Sequence, residues 1–316
     1  MNLLLTGGAG FIGSHILETA LQDERIRKVR VLDNLSTGFL RNIEPFLLHP
    51  KMEFMHGDIR DRETCALAAD GMEAICHQAA MGSVPRSIKT PQLTHDNNAT
   101  GFINMMTAAR NQNIQRIVYA SSSSVYGDNK DHIKTEERIG KPLSPYAVSK
   151  HVDELYAEVY AKCYGMTIAG FRYFNVFGPR QDPYGPYAAV VPLFFKHALN
   201  GTSPTINGDG SITRDYTYVG NVVKANLNAL FADEGFHGHQ VLNIACGQTT
   251  SLTDLWQEIR DITGCTQDAH YGPSRMGDIL HSLADISKAE KLINYTRLTL
   301  LREGLMKTVE WYSKKK

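Results

Sequence analysis

Cysteine is scarce. The five residues Cys65, Cys76, Cys163, Cys246 and Cys265 are scattered singly and odd in number. That pattern excludes a disulfide framework and, with no C-x-x-C pair, a thiolate zinc site; it fits a reducing cytoplasm. No apolar run approaches the roughly 20 residues that cross a bilayer. The first residues show no basic segment leading into a long apolar one, since Leu3–Leu5 runs into glycines. Excess charge is also missing: 33 Lys and Arg balance 33 Asp and Glu, which argues against a nucleic-acid or membrane surface. The 12 histidines do not gather at ligand spacing, so no metal site is expected. Internal repeats and low-complexity segments are absent. A cytoplasmic globular enzyme-sized chain of 316 residues is what remains.

What is present alternates. Short β-rich runs at Leu3–Thr6, Lys28–Asp33, Met52–His56, Ala74–His77, Ile117–Ser121 and Thr167–Phe171 are separated by helical patterns. The helices are predicted at Phe11–Leu21, from about Asp61 to Ala69, from about Asn97 to Gln112, and at Tyr146–Tyr164. This spacing predicts parallel βαβ units, and strands apolar on both faces predict helices on both sides. The fold class is therefore α/β: a Rossmann-type, doubly wound parallel sheet. After Asn175 glycine and proline increase, with a helix near Val190–Leu199. The expected division is a dinucleotide-binding domain over 1–174 and a smaller, mixed substrate-binding region over 175–316. Segments near 215–245 and 279–285 are expected to return to the first domain.

Gly7-Gly8-Ala9-Gly10-Phe11-Ile12-Gly13 follows the first strand and opens the first helix. Glycines at this spacing permit a tight turn and close backbone approach to a pyrophosphate, whose charge faces the helix N-terminal amides. Asp33 ends the second strand, 20 residues after Gly13. A carboxylate there accepts hydrogen bonds from the adenine ribose hydroxyls and repels a 2′-phosphate, which favours NAD over NADP.

Tyr146-Ala147-Val148-Ser149-Lys150 places a phenol and an ammonium at i and i+4 on one helical face. A nearby cation favours the phenolate and makes the tyrosine a usable proton acceptor near neutrality. Upstream, a strand ends in the run Ser121–Ser124, at the sheet edge where ligands sit in such folds.

The chain of motifs resembles the extended short-chain dehydrogenase/reductase family, and within it the UDP-sugar 4-epimerases. The resemblance runs over nearly the whole length, through Asp58-Ile59-Arg60, His77-Gln78-Ala79-Ala80, Asn98, Arg172–Gly178, Asn207–Gly210, Arg214-Asp215-Tyr216 and Arg275-Met276-Gly277-Asp278. It implies that Tyr146 takes the O4 proton, that Lys150 binds the nicotinamide ribose and tunes Tyr146, and that Ser122, helped by Ser123, bonds the reacting oxygen. It implies a cofactor site of Gly7, Gly10, Phe11, Ile12, Gly13, Asp33, Asn34, Ser36, Thr37, Gly38, Asp58, Ile59, Gln78, Ala79, Ala80, Asn98 and Tyr173, besides Tyr146 and Lys150. For the substrate it implies Gly82, Ser83, Val84, Asn175, Ala189, Val190, Val191, Ile206, Asn207 and Ser282. Arg214 and Arg275 would hold the diphosphate with Asn175, and Asp278 the uridine ribose.

The reaction so implied is a redox-neutral C4 inversion through a transient 4-keto sugar, with NAD retained. Dehydratases of the family carry an Asp-Glu pair where this chain has Ser123 and Ser124, so dehydration is not expected. The nearest similarity is to bacterial UDP-N-acetylglucosamine 4-epimerases of surface-polysaccharide synthesis, carried by Gly82–Ser87, Gly140–Pro145, Arg180–Pro183 and His281–Asp285. In that family the position of Ser282 stands beside the sugar C2 substituent, and a small residue leaves room for an N-acetyl group. A UDP-glucuronate 4-epimerase is the alternative, opposed by Asp182 if it faces the sugar; a non-catalytic NAD-binding protein is a remote third. A homodimer is expected through the apolar faces of the helices near 97–112 and 146–164.

Overall fold

The computed structural model describes residues 1–232, 235–273 and 281–314. Seven parallel strands form the central sheet: β1 (Asn2–Thr6), β2 (Lys28–Asp33), β3 (Met52–His56), β4 (Ala74–His77), β5 (Arg116–Ser122), β6 (Thr167–Tyr173) and β7 (His239–Ile244). Their order is β7-β6-β5-β4-β1-β2-β3. The sequence reverses direction between β1 and β4, the point at which doubly wound sheets open a crevice.

Alternation along each strand decides which helices cover which face. Leu3 and Leu5 of β1 join Val29, Val31 and Leu242 against α1 (Phe11–Gln22) and α6 (Val219–Leu230), through Ile16, Leu17, Val222 and Ala225. Leu4 faces the other way with Leu32, Ile75 and Ile117, onto α2 (Arg62–Ala69), α3 (Gly101–Asn111) and α4 (Pro145–Tyr164) through Ala68, Phe102, Met105 and Ala157. Both faces are dry, which is why the strands read as continuous apolar runs. The helix expected from Asn97 is regular only from Gly101, after a π-helical turn over Asp96–Thr100.

Beyond β6 the chain builds a third core of Phe194, Phe195, Leu255, Trp256, Ile259 and Leu305, between α5 (Val190–Leu199), α7 (Leu252–Thr263) and α8 (Leu301–Ser313). A mixed four-stranded sheet lies in the order Thr250–Ser251, Thr213–Arg214, His281–Ala284 and Ile133–Lys134. Residues 239–244 join the main sheet as its edge strand β7, and residues 281–284 pair with Thr213–Arg214 and with Ile133–Lys134.

Register brings the strand ends level. Thr6 pairs with Leu32 and His77, His77 with Tyr119, and Ser122 with Tyr173. The residues that follow these ends therefore share one edge of the sheet.

Candidate active site

That edge carries a cleft of ≈ 770 Å3. Its lining includes Gly7, Gly10, Phe11, Ile12, Gly13, Asp33, Asn34, Ser36, Thr37, Gly38, Ile59, Gln78, Ala79 and Ala80. Further along lie Gly82, Ser83, Ser122, Tyr146, Lys150, Tyr173, Asn175 and Ala189. Most of the residues that the sequence nominates thus face one space.

The turn after β1 cannot carry a side chain at Gly7, nor the helix start at Gly13. Gly7 has φ +70°, and a Cβ there would lie 2.6 Å from the Ala79 nitrogen. At Gly13 a Cβ would lie 2.1 Å from the Gly7 carbonyl oxygen. This bare turn at the N-terminus of α1 suits a diphosphate. Asp33 is 8% exposed. Its Oδ2 accepts from Ala9 N (2.9 Å) and its Oδ1 from Leu35 N (2.8 Å). Burial raises its pKa against those two bonds. Each oxygen keeps lone-pair capacity for a ribose hydroxyl. Asp58 accepts from Arg60 and from Asn34 Nδ2 (2.9 Å), and the Arg60 guanidinium holds its carboxyl well below the usual range. Asn34 is thereby fixed at the cleft wall. These residues fit NAD.

At the far side of the sheet, Ser144 caps α4 by accepting from Ala147 N (3.1 Å), with Pro145 in the first turn. The cap fixes where Tyr146 begins, and Tyr146 stands half-buried one turn before Lys150. Lys150 is 2% exposed, with Nζ 3.2 Å from Oδ2 of the buried Asp153. Ser122 extends β5, and its Oγ accepts from Ser124 N (3.1 Å). Tyr173 donates to Gln78 Oε1 (3.1 Å) and accepts from Asn226 Nδ2 (2.9 Å), locking Gln78 at the edge.

Some nominated residues stand elsewhere. Asn98 is 1% exposed and does not line the cleft. Its Oδ1 accepts from Met81 N (2.7 Å), and its Nδ2 donates to Ser149 Oγ (2.9 Å) and Met81 O (3.3 Å). It ties the 81–83 segment to α4 with its polar atoms already engaged. Asp58, Ser123, Val84, Val190, Val191, Ile206, Asn207, Arg214 and Ser282 are also absent from the lining. Val191 and Ile206 are buried in the third core. Arg214 and Ser282 are register partners in the mixed sheet. That sheet reaches the cleft through Asn175, whose Nδ2 donates to Asp215 O (2.9 Å). Arg275 and Asp278 lie outside the described residues.

Asp182, conditional on facing the pocket in the sequence reading, does line the cleft. Three groups carried no role of their own there: Arg86, which also lines the cleft, Asp153 and Asp215. Asp153 follows Lys150 by three residues, a spacing that on a helix reads as an ordinary ion pair. Asp215 is fully buried and accepts from Cys246 N (2.9 Å), Gly247 N (3.0 Å) and Ala284 N (3.5 Å), pinning the strand that carries Ser282. Burial pushes its carboxyl up to about 6. Among the described residues there is no group of three or more His, Cys, Asp or Glu suited to a metal ion.

Residues 3–245 match the sequence profile of the NAD dependent epimerase/dehydratase family. The UDP-glucose 4-epimerase of Mycolicibacterium smegmatis is 36% identical, over 100% of this chain and 99% of its own. The solved structure of the UDP-N-acetylglucosamine 4-epimerase of Methanobrevibacter ruminantium M1 in complex with UDP-N-acetylmuramic acid superposes with TM-score 0.93 at 36% identity, covering 100% of this chain and 99% of that one. The UDP-glucuronic acid 4-epimerase of Bacillus cereus with UDP-glucuronic acid and NAD gives TM-score 0.91 at 29% identity, covering 100% of both chains.

Proposed function

Since the chain belongs to the NAD dependent epimerase/dehydratase family and is an NAD-dependent UDP-sugar 4-epimerase, we propose that its principal substrates are UDP-GlcNAc and UDP-GalNAc. The observation that carries this reading is Ser282, a small, half-buried residue in register with Arg214. In the family that the chain belongs to, this position stands beside the sugar C2 substituent, and a hydroxymethyl group leaves more room there than a bulky side chain would for an acetamido group. Comparing kcat/KM for UDP-GlcNAc, UDP-glucose and UDP-glucuronate tests it. The expected order puts UDP-GlcNAc first and UDP-glucose second; UDP-glucuronate in first place would overturn it.

The proposed division of labour follows the cleft. The bare turn Gly7–Gly13 and the α1 amides hold the diphosphate of NAD, and Asp33 holds the adenine ribose. Bound there, NAD supplies reversible hydride acceptance at sugar C4. Tyr146 takes the O4 proton and returns it after the sugar has turned. Lys150, on the same helical face one turn on and in the same cleft, holds the nicotinamide ribose. Ser122 donates to the same sugar oxygen and keeps it aligned. Asn175 and Arg214 hold the uridine diphosphate in this reading, a guanidinium being the expected partner of a phosphate.

Arg86 favours a second reading, a uronate substrate, because it sets a cation in the cleft. Asp182, in the same lining, opposes a carboxylate there. The Arg86 guanidinium also packs over the Tyr187 ring, at 5.1 Å, a contact that gives it a role without a uronate.

The same family reading gives a dimer. Val148, Leu155 and Val159 are exposed along one side of α4, at helical spacing, whereas the helix near 97–112, expected to share that face, buries Phe102, Met105 and Met106 in the core; Ile88 and Leu93 are exposed on the segment before it. Such a stripe suits a self-complementary helix pairing. Light scattering at micromolar concentration is expected to give the mass of two chains, and Val159→Asp to give one. A wild-type mass of one chain contradicts the assembly.

A further inference from the structure

Asn226 of α6 is 0% exposed and sits in the apolar seam between that helix and the sheet, where Val222, Ala225 and Ala229 belong to the same core as Cys76, Val118 and Phe171. A primary amide is costly in such a place unless its hydrogen-bonding capacity is used. Here it is used at both ends. Nδ2 donates to Tyr173 Oη (2.9 Å) and to Val222 O (2.7 Å). Oδ1 accepts from Gln78 Nε2 (3.0 Å) and from the Cys76 thiol (3.4 Å).

Tyr173 closes the circuit. Its hydroxyl accepts from Asn226 and gives its own hydrogen to Gln78 Oε1 (3.1 Å), while the Gln78 amide returns a hydrogen to Asn226. The donors run one way round the ring, from Asn226 to Tyr173, from Tyr173 to Gln78 and from Gln78 to Asn226. Turning either amide over would set like groups against each other, so each orientation fixes the next. Asn226 does not line the cleft, whereas Gln78 and Tyr173 do. Both stand at strand ends beside the chemistry. Tyr173 is the register partner of Ser122. Gln78 leads into Ala79, whose nitrogen donates to Thr6 Oγ1 (3.2 Å) and would lie 2.6 Å from a Cβ at Gly7. The ring therefore ties α6 to the stretch of wall between the diphosphate turn and Ser122.

We propose that Asn226 is a positioning residue for the cofactor: acting through Gln78 and Tyr173, it holds the cleft wall that receives NAD in a single arrangement. The inference rests on the assignment of Gln78 and Tyr173 to the NAD site. A leucine of similar size would fill the seam but release both cleft residues. Gln78 Nε2 would keep only its 3.5 Å contact with Cys76 Sγ, and the Tyr173 hydroxyl would lose the donor that orients it. Each side chain would then sample further orientations. NAD would have to order them on binding, which weakens its retention.

The test measures how fast the purified holoenzyme exchanges its NAD for isotopically labelled NAD. Asn226→Leu is expected to speed exchange by about 5- to 20-fold, the factor that one to two lost hydrogen bonds produce. Tyr173→Phe opens the same ring at another member and is expected to act by a similar factor. The double variant is expected to exceed the larger single effect by less than about twofold, because the second change finds the ring already open. KM for UDP-glucose at saturating NAD should stay within about twofold of wild type. Single effects that multiply in the double variant would make Asn226 a core residue only and overturn its positioning role, as would acceleration in only one of the two single variants. No acceleration in either overturns the assignment of Gln78 and Tyr173 to the NAD site. Should Asn226→Leu fail to fold, Asn226→Ser, too short to span the ring, is read in the same way.

Discussion

Replacing Tyr146 by phenylalanine is expected to lower kcat by about 10^2- to 10^4-fold, the range that a positioned proton acceptor contributes. The ring keeps its place in the first turn of α4, because that turn is set by the Ser144 cap and Pro145 rather than by the hydroxyl. NAD retention and thermal stability should therefore stay close to wild type. KM should change little, since the O4 proton transfer belongs to the transition state more than to ground-state binding. Steady-state kinetics with UDP-glucose and UDP-GlcNAc, together with the ratio of bound NAD to protein after gel filtration, check this. A variant retaining a tenth or more of wild-type kcat would remove Tyr146 from the chemistry.

The second large effect is on selectivity. Ser282→Tyr is expected to lower kcat/KM for UDP-GlcNAc by roughly 10- to 200-fold, the range over which the fit of a pocket to one small substituent discriminates between substrates. Turnover of UDP-glucose should stay within a few-fold. The reason is rigidity. Asp215 N donates to Ser282 O (3.0 Å), while the Asp215 carboxylate receives Ala284 N and the 246–247 backbone, so the strand cannot slide away from a larger side chain. The added ring must then occupy the volume assigned to the acetamido group. An unchanged ratio of kcat/KM for the two sugars would show that Ser282 does not border C2.

The parts legible in the sequence are those whose chemistry is periodic or local. The bare turn Gly7–Gly13 shows itself because a Cβ at Gly7 or Gly13 would strike backbone, which forces the residue type. Asp33, Ser122, Tyr146 and Lys150 show themselves because each follows a strand end or a helix start that hydrophobic pattern already fixes. The bonds of Asn98 are silent in sequence: its amide ties Met81 to Ser149 of α4, a contact across 51 residues that no local pattern encodes. The mixed sheet is built partly from two-residue strands such as Ile133–Lys134 and Thr213–Arg214, too short to carry a period of two. Its pairing with 281–284 is a long-range fact that no local pattern encodes. Asp153 is equally silent in sequence, because a carboxylate three residues after a lysine on a helix is ordinary until both are found buried.

The central claim is a redox-neutral inversion at C4 of UDP-GlcNAc by NAD that the protein retains. Incubation of the purified protein with UDP-GlcNAc and no added cofactor, followed by proton NMR, tests it most directly. The account predicts that UDP-GalNAc signals grow to a fixed ratio and that the same ratio is reached from UDP-GalNAc. UDP-GlcNAc left unchanged even after NAD is added, or converted to a dehydrated or net-oxidised product, would contradict it.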